Sequence, residues 1–303
     1  MSKRVLFSIF ITSITILLLS VSYFVTFQRT EAKNRVELNL IATLGSSDIA
    51  TGSNRIIIGV LSPQRKTIQS KTISIDFFQK RDNSTIYRFS NNAEFINWPN
   101  SKSGIFSTNV SFDESGVWLA EISPKDGEYA GEKARIVLNV KEFSTTPSVG
   151  DTIPETNNIL ATNSSELINI TSDINPVLEL YNQSVNEIVT IKDKPLLILF
   201  ATPGNCKSFT CGPQMNIIKS LNENYRKDMY FVHIEVYDMK SKKNDGQYMK
   251  FSPVIKPWNL PSEPWVFIIN KDGIIIEKFE SYVPEEELEL LIQRAISDNS
   301  FQS

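Results

Sequence analysis

The sequence of 303 residues predicts a multidomain protein with an N-terminal transmembrane helix, an all-β domain and an α/β domain. Three observations lead to this fold class. A long uncharged run follows the first basic residues, alternating polar and apolar residues fill the first half of the chain, and strand and helix patterns take turns in the second half. The predicted boundaries are residues 1–30 for the membrane helix, 35–143 for the all-β domain, 144–150 for a linker and 151–299 for the α/β domain.

The N-terminal segment is predicted to anchor the protein in a membrane. Lys3 and Arg4 precede an uncharged run at residues 5–27, and about 20 apolar residues suffice to cross a bilayer. The positive charges indicate that the N-terminus stays in the cytoplasm while the rest is exported. A cleaved signal peptide is the alternative, because residues 20–22 form a passable cleavage site. In both cases we expect the folded part outside the cytoplasm, where cysteines can form a disulfide.

The all-β domain is predicted from short alternating strands that turn residues separate. Examples are residues 72–77, 117–122 and 135–140, and this spacing favours a β-sandwich of two packed sheets. The hairpin at residues 106–118 resembles those of bacterial immunoglobulin-like modules. The domain contains neither cysteine nor histidine, so it offers no soft metal ligand and no base that titrates near neutral pH. We therefore expect a spacer or a docking surface.

The α/β domain is predicted from elements in the order strand, helix, strand, β-hairpin, helix. Residues 195–200 and 230–237 are apolar enough for buried strands, and residues 211–225 have helical spacing between them. A hairpin follows, because Lys271-Asp272-Gly273 is a turn signal between two apolar runs. Residues 284–296 then have the acidic start and the apolar spacing of a last helix.

The two cysteines are the most informative residues of the chain. Cys206 and Cys211 are its only cysteines, and they lie in the loop between a predicted strand and the helix after it. Such a loop lies at the carboxyl end of the strands, where open α/β folds place their sites. The free N–H groups and the dipole of a helix N-terminus favour a thiolate over a thiol. The pair is therefore predicted to be redox-active, with Cys211 the more acidic because it is nearer the helix.

The motifs around these cysteines resemble those of the thioredoxin fold. Phe200 ends a strand before the cysteine loop, and Cys211-Gly212-Pro213 reproduces three residues of the thioredoxin Cys-Gly-Pro-Cys motif. Residues 258–264 resemble the approach to the thioredoxin cis-proline. The whole stretch is similar to a group of thioredoxin-like bacterial envelope proteins. The resemblance implies that Pro264 is cis and faces the active-site sulfur, with Pro261 as the alternative.

Two departures from the thioredoxin pattern affect the predicted chemistry. Gln214 stands where the second cysteine of the motif would be, so Cys211 must pair with the cysteine that precedes it by five residues. Leu199 occupies the position of the buried acid that transfers protons in thioredoxins. Glu263 or Glu235 could replace that acid, although a solvated or capping carboxylate is the more common role.

Two alternatives to redox chemistry stay open at this point. Cys206, Cys211 and His233 could together hold Cu(I), as in copper chaperones of the Sco type, which share the thioredoxin fold. Their cysteines lie one residue closer together and their histidine follows the second strand, whereas His233 lies inside the predicted strand. The other alternative is a non-catalytic binding module in which the cysteines form a structural disulfide.

Composition and motifs lead to one preferred function. The net charge of −3 and the absence of interleaved basic and aromatic residues argue against nucleic-acid binding, and a single histidine disfavours a Ser-His-Asp hydrolase. We predict a membrane-tethered, extracytoplasmic thiol–disulfide oxidoreductase that spans the cell membrane once and needs no cofactor. Its predicted site residues are Cys206, Cys211 and Pro264. Its predicted partners are the membrane, through the N-terminal helix, and the thiols and disulfides of exported proteins.

Overall fold

Alternating apolar residues build the described residues of the first half into a single antiparallel β-sheet of seven strands. A computed structural model describes residues 40–82, 84–99, 101–206, 210–241 and 250–301. The spatial order of the strands is β1-β2-β5-β4-β3-β6-β7. Their bounds are Ile41–Leu44 (β1), Gly52–Leu61 (β2), Thr72–Arg81 (β3), Ser84–Asn97 (β4), Gly104–Phe112 (β5), Gly116–Pro124 (β6) and Ala134–Val140 (β7).

This sheet curls until its two edges meet. The segment after β1 reaches the end of β7, where Thr51 N donates to Lys141 O at 2.9 Å and Lys141 N donates to Ile49 O at 2.9 Å. The register of β3 and β4 shifts between Phe77 and Phe78, and a bulge of this kind bends a strand and increases its twist. The result is a nearly closed, barrel-like sheet.

Aromatic side chains fill the inside of the curled sheet. Phe77, Phe112 and Trp118 are fully buried. The rings of Phe112 and Trp118 meet edge to face with centroids 4.9 Å apart, an arrangement that aromatic pairs prefer. Trp118 Nε1 donates to Glu114 O at 3.2 Å, so its polar group is satisfied while the ring packs in the core.

The second half of the chain forms a four-stranded sheet with three α-helices. The strand order is β11-β10-β8-β9, in which β8 and β9 are parallel and the other pairs are antiparallel. The strands are Leu196–Ala201 (β8), Tyr230–Glu235 (β9), Trp265–Ile269 (β10) and Ile275–Glu280 (β11). The helices are Val185–Ile191 (α1), Cys211–Tyr225 (α2) and Glu285–Phe301 (α3), with short 3-10 helices at Ser164–Asn169, Leu178–Leu180, Met239–Ser241 and Pro253–Trp258. From residue 195 onward, these elements follow in the predicted order.

A buried carboxylate, Asp48, joins the two sheets. Its side chain is fully buried and forms ion pairs with Lys141 at 3.0 Å and with Lys278 of β11 at 3.8 Å. Backbone and hydroxyl groups donate hydrogen bonds to both of its oxygens; the donors belong to Ser144, Thr145 and Thr146. Burial alone would raise the pKa of Asp48, but these hydrogen bonds outweigh it and lower the pKa well below its usual range. Residues 40–303 accordingly form one compact unit.

Polar and apolar contacts extend this junction. Ser47 N donates to Glu280 Oε2 at 2.7 Å. Arg55 donates to Tyr282 O at 3.2 Å and pairs with Glu287 at 3.3 Å. Two apolar residues of the first sheet also belong to the core of the second half; they are Ile57 and Ile105. The position of the first sheet relative to the second is therefore fixed by buried contacts.

The predicted fold class is wrong. The first half is one nearly closed sheet and not an immunoglobulin-like sandwich of two sheets. Inward and outward side chains alternate in the same way in both arrangements, so the pattern could not distinguish them. The described chain as a whole is mostly β with few helices, and its small second sheet packs with the first into one unit instead of forming a clear α/β thioredoxin fold.

The predicted membrane helix at residues 1–30 lies outside the described residues. Within the described part, none of the helices combines the length and the apolar character needed to cross a bilayer. The predicted boundaries at residues 35–143, 144–150 and 151–299 stay predictions.

Removing the charge of Asp48 is expected to loosen the junction between the sheets. Asp48→Asn leaves Lys141 and Lys278 without their buried partner, so we expect the free energy of unfolding at pH 7 to fall by about 3 kcal/mol. Urea denaturation measures this value. The control is Asp272→Asn. Asp272 and Lys192 form an exposed ion pair with an N–O distance of 3.9 Å, and such a pair contributes at most about 1 kcal/mol.

The pH dependence gives a second measure of the same substitution. Because the folded protein holds the pKa of Asp48 below its unfolded value, the stabilisation is present above about pH 4 and is lost as the pH falls further. The difference between wild type and Asp48→Asn should therefore shrink on acidification. Equal stability of Asp48→Asn and Asp272→Asn at pH 7 would show that Asp48 does not stabilise the junction between the sheets.

Candidate functional site

The candidate site lies in the loop that connects strand β8 to helix α2. Cys206 and Cys211 form a disulfide with an S–S distance of 2.12 Å and a Cα–Cα distance of 5.8 Å. The loop packs closely against Ser172, since Gly204 N donates to Ser172 Oγ at 3.0 Å. A Cβ atom at Gly204 would lie 2.5 Å from Ser172 O, so only glycine fits there. This contact fixes the loop just before its first cysteine.

The two bonded sulfurs differ in their surroundings. Cys211 is the first residue of α2 and is fully buried in the core, next to residues such as Met215 and Ile218. Cys206 is only partly buried and packs on the outside of the same core. A reacting group can therefore reach the sulfur of Cys206 more easily than that of Cys211. The N-terminus of α2 lies at Cys211, where its dipole favours negative charge.

Glu263 places a carboxylate beside the disulfide. One of its oxygens and the two sulfurs all lie within 4.8 Å of one another. The peptide bond between Glu263 and Pro264 is cis, so the predicted cis-proline is confirmed at Pro264 and not at Pro261. Pro264 is thus bonded to a residue whose carboxylate lies near both sulfurs. A catalytic role for Pro264 stays a prediction.

Glu235 is a second carboxyl group linked to the loop. It is 7% exposed at the end of β9. The pKa of Glu235 is raised to about 7. Burial and the charge of Glu263 raise it, and together they outweigh the hydrogen bonds from Ser172 and Thr171, which lower it. The hydroxyl of Ser172 donates to Glu235 at 2.6 Å and accepts the N–H of Gly204. A group that titrates near neutral pH is thus joined to the cysteine loop through one serine.

His233, the third residue of the predicted copper set, is held away from the cysteines. It is 3% exposed, its Nδ1 is 2.8 Å from the hydroxyl of Tyr181, and its Nε2 is 3.1 Å from Ala201 O. Burial lowers the pKa of His233 to about 4. Among the described residues, the group of three with metal-ligating atoms close together is Cys206, Cys211 and Glu263. The structure brings the two cysteines together but does not add His233 to them.

Gln214 and Leu199 have structural roles at the positions where the sequence departs from the thioredoxin pattern. The Gln214 side chain is fully buried, and its Oε1 accepts the N–H of Val283 at 2.8 Å. It therefore ties α2 to the segment that leads into α3. Leu199 is fully buried in the apolar core of the second half, so no acid occupies its position.

A cavity of about 370 Å³ is lined jointly by the first sheet and by residues next to the cysteine loop. From the second half, its wall includes Thr210, which precedes Cys211, and Glu263, which lies beside both sulfurs. From the first sheet, its apolar wall consists of Ile57, Leu61, Trp98 and Ile105. The sequence analysis did not predict that these four residues belong to the site. No local signal identifies them, because they come next to the cysteines only through the packing of the two sheets.

Comparison with known proteins gives no family. No protein-family model and no curated protein matches the chain. A structure described as the thiol:disulfide interchange protein DsbE of Chlorobium tepidum is 17% identical, with a TM-score of 0.29, over 36% of this chain and 84% of that one. MtrC of Shewanella baltica OS185 is 11% identical, with a TM-score of 0.25, over 78% of this chain and 51% of that one.

A third structure, a strand-swapped CTLA-4 of the duckbill platypus, is 10% identical, with a TM-score of 0.18, over 41% of this chain and 95% of that one. These TM-scores are too low to carry an argument. The function is therefore argued from the site alone.

The stability of the protein is expected to report the titration of Glu235. Its pKa rises from an ordinary value of 4.5 to about 7 on folding, so between these values the folded state holds a proton that the unfolded state releases. The stability from this group is complete below pH 4.5 and is lost as the pH rises through 7. We expect Glu235→Gln to gain about 3 kcal/mol relative to wild type between pH 4.5 and pH 8.

Urea denaturation of wild type and Glu235→Gln across this pH range measures the difference between their free energies of unfolding. Any pH dependence from His233 is present in both proteins and cancels in this difference. Glu223→Gln is the control for replacing a carboxyl group by an amide, because Glu223 is exposed on α2. A pH-independent difference for Glu235→Gln would show that Glu235 does not titrate in this range.

Proposed function

We propose that the protein is a thiol–disulfide oxidoreductase whose redox pair is Cys206 and Cys211. The observation that carries the proposal is the disulfide between a partly exposed loop cysteine and a buried cysteine at a helix N-terminus. One sulfur is open to attack, and the other lies where a thiolate is stabilised. Pro264 is the third proposed site residue, because its neighbour Glu263 lies beside both sulfurs.

Exchange starts at the accessible sulfur. A substrate thiolate attacks Cys206 Sγ, a substrate–Cys206 bond forms, and the bond to Cys211 breaks. Cys211 leaves as a thiolate at the first turn of α2, where the helix dipole and the free N–H groups of Cys211 and Gly212 favour its charge. Pro213 has no N–H to contribute.

A second substrate thiolate completes the exchange. It attacks the substrate sulfur of the mixed disulfide, the substrate disulfide forms, and Cys206 is released as a thiolate. The two electrons have passed from the substrate dithiol to the protein disulfide, and the two substrate protons are available to the protein thiolates. A disulfide of another molecule can then reoxidise the pair. The same steps in reverse reduce a substrate disulfide, and neither direction requires a cofactor.

A purely structural disulfide is the competing explanation. Exposed disulfides are more readily reduced, whereas structural ones in exported proteins resist the glutathione pool. The partial exposure of Cys206 favours a reactive pair. An extracytoplasmic location is part of the proposal, since disulfides persist in oxidising compartments. The proposed substrates are the thiols and disulfides of exported proteins.

Redox equilibration tests whether the pair is reactive. We expect the Cys206–Cys211 disulfide to interconvert with the dithiol in glutathione buffers, at a potential above about −300 mV. Rapid alkylation followed by mass measurement counts the free thiols at each buffer ratio. Cys206→Ser and Cys211→Ser are the controls for the assignment. A disulfide that stays intact throughout, with a potential below about −300 mV, would mark it as structural.

The unequal burial predicts which cysteine forms the mixed disulfide. In Cys211→Ser, the remaining Cys206 should react with glutathione disulfide at least about tenfold faster than Cys211 does in Cys206→Ser, because only a partly exposed thiol can be reached. The same two variants unfolded in guanidinium chloride should react at similar rates. A faster reaction of Cys211 in the folded protein would reverse the assigned roles.

A further inference from the structure

The cavity near the cysteine loop is lined by residues from both halves of the protein. Strand β2 supplies Ile57 and Leu61, β5 supplies Ile105, and Trp98 follows β4. On the opposite side, Thr210 and Glu263 connect the cavity to the cysteines. A substrate sulfur bonded to Cys206 would therefore have its neighbouring residues next to this cavity.

The volume and shape of the cavity suit a side chain. At about 370 Å³, it is at the small end of the range of about 300–1,000 Å³ that ligand pockets occupy. Three of its lining residues add no side chain at all; they are Gly45, Gly59 and Gly104. Its apolar wall can bury a large aliphatic group, and burying apolar surface favours binding.

The charge of the lining selects the kind of substrate. Glu280 lines the cavity, and its carboxylate accepts hydrogen bonds from uncharged donors, the backbone and hydroxyl of Ser47 and the hydroxyl of Ser262. Within the described part of the chain, two carboxylates, Glu263 and Glu280, and no lysine, arginine or histidine line the cavity. Lys278 of the same strand interacts electrostatically with Glu280 from outside the lining. A positive charge on the substrate complements this surface, and a negative charge is repelled by it.

We propose that this cavity is a substrate-binding pocket that receives the residues next to the reacting cysteine, and that it prefers an aliphatic side chain accompanied by a positive charge. The proposal rests on the thiol–disulfide exchange proposed above. It assigns the first sheet a direct part in substrate selection, beyond the role of spacer or docking surface expected from its lack of cysteine and histidine.

Peptide disulfides of matched sequence test the preference. The symmetric disulfides of acetyl-Leu-Cys-Lys-amide, acetyl-Ser-Cys-Lys-amide and acetyl-Leu-Cys-Glu-amide are mixed with the reduced protein, and the second-order rate constants of peptide release are measured. Each rate is divided by that of dithiothreitol with the same peptide, which removes intrinsic differences in reactivity. We expect the Leu-Lys peptide to react at least about tenfold faster than each of the others, the discrimination that one hydrophobic pocket achieves.

Blocking the cavity should remove the preference without removing exchange. Thr43 is exposed on β1 and lines the cavity, so Thr43→Trp should lower the ratio to about threefold or less. Thr67 also lines the cavity, so Thr67→Trp serves if the first variant does not fold. Thr85→Trp is the matched control, because Thr85 is exposed on β4 and does not line the cavity; it should keep the wild-type ratio.

The outcomes separate this proposal from the function on which it rests. Exchange with all peptides at equal normalised rates, or a preference that survives both blocking variants, would overturn the pocket and leave the oxidoreductase function intact. An unreactive wild-type dithiol would overturn both. A preference that both blocking variants lose and Thr85→Trp retains supports the pocket.

Discussion

The ion pairs and hydrogen bonds of Asp48 hold the two halves of this protein in one arrangement. Its fully buried carboxylate meets Lys141 from the end of β7, Lys278 from β11 and three consecutive residues from the segment between the sheets. A buried charge is tolerated only when it is paired and hydrogen-bonded, so these partners must keep their positions together. The apolar wall of the cavity faces the disulfide only while this arrangement holds, and the geometry of the site therefore depends on a residue that is not part of it.

The site combines groups that differ in their access to solvent. A partly exposed sulfur, a buried sulfur and the carboxylate of Glu263 lie together, while Glu235 and Ser172 support the loop from behind. Burial raises the pKa of Glu235 into the neutral range, whereas Leu199 leaves the position of the thioredoxin acid apolar. Perturbed pKa values cluster at functional sites, and the pKa of Glu235 next to this loop is in keeping with the proposed exchange.

Local patterns predicted the local features correctly. The order of strands and helices after residue 195 and the pairing of Cys206 with Cys211 follow from short stretches of sequence, whereas the cis bond at Pro264 is implied by the resemblance to thioredoxins. The single curled sheet could not be predicted, because alternation specifies which side chains point inward but not which strands become neighbours. The same reason applies to Asp48 and to the wall formed by Ile57 and Ile105, whose partners lie far away in the chain.

The meeting of β1 and β7 has a consequence for how other proteins can attach. An open sheet presents a row of unpaired N–H and C=O groups to which a foreign strand can add, and this is a common route to aggregation. Here the backbone of Thr51 and Ile49 already binds Lys141, so little open edge remains on the seven-stranded sheet. For the proposed exchange with exported proteins, this closure means that a substrate chain can contact side chains of the sheet without being added to it as a further strand.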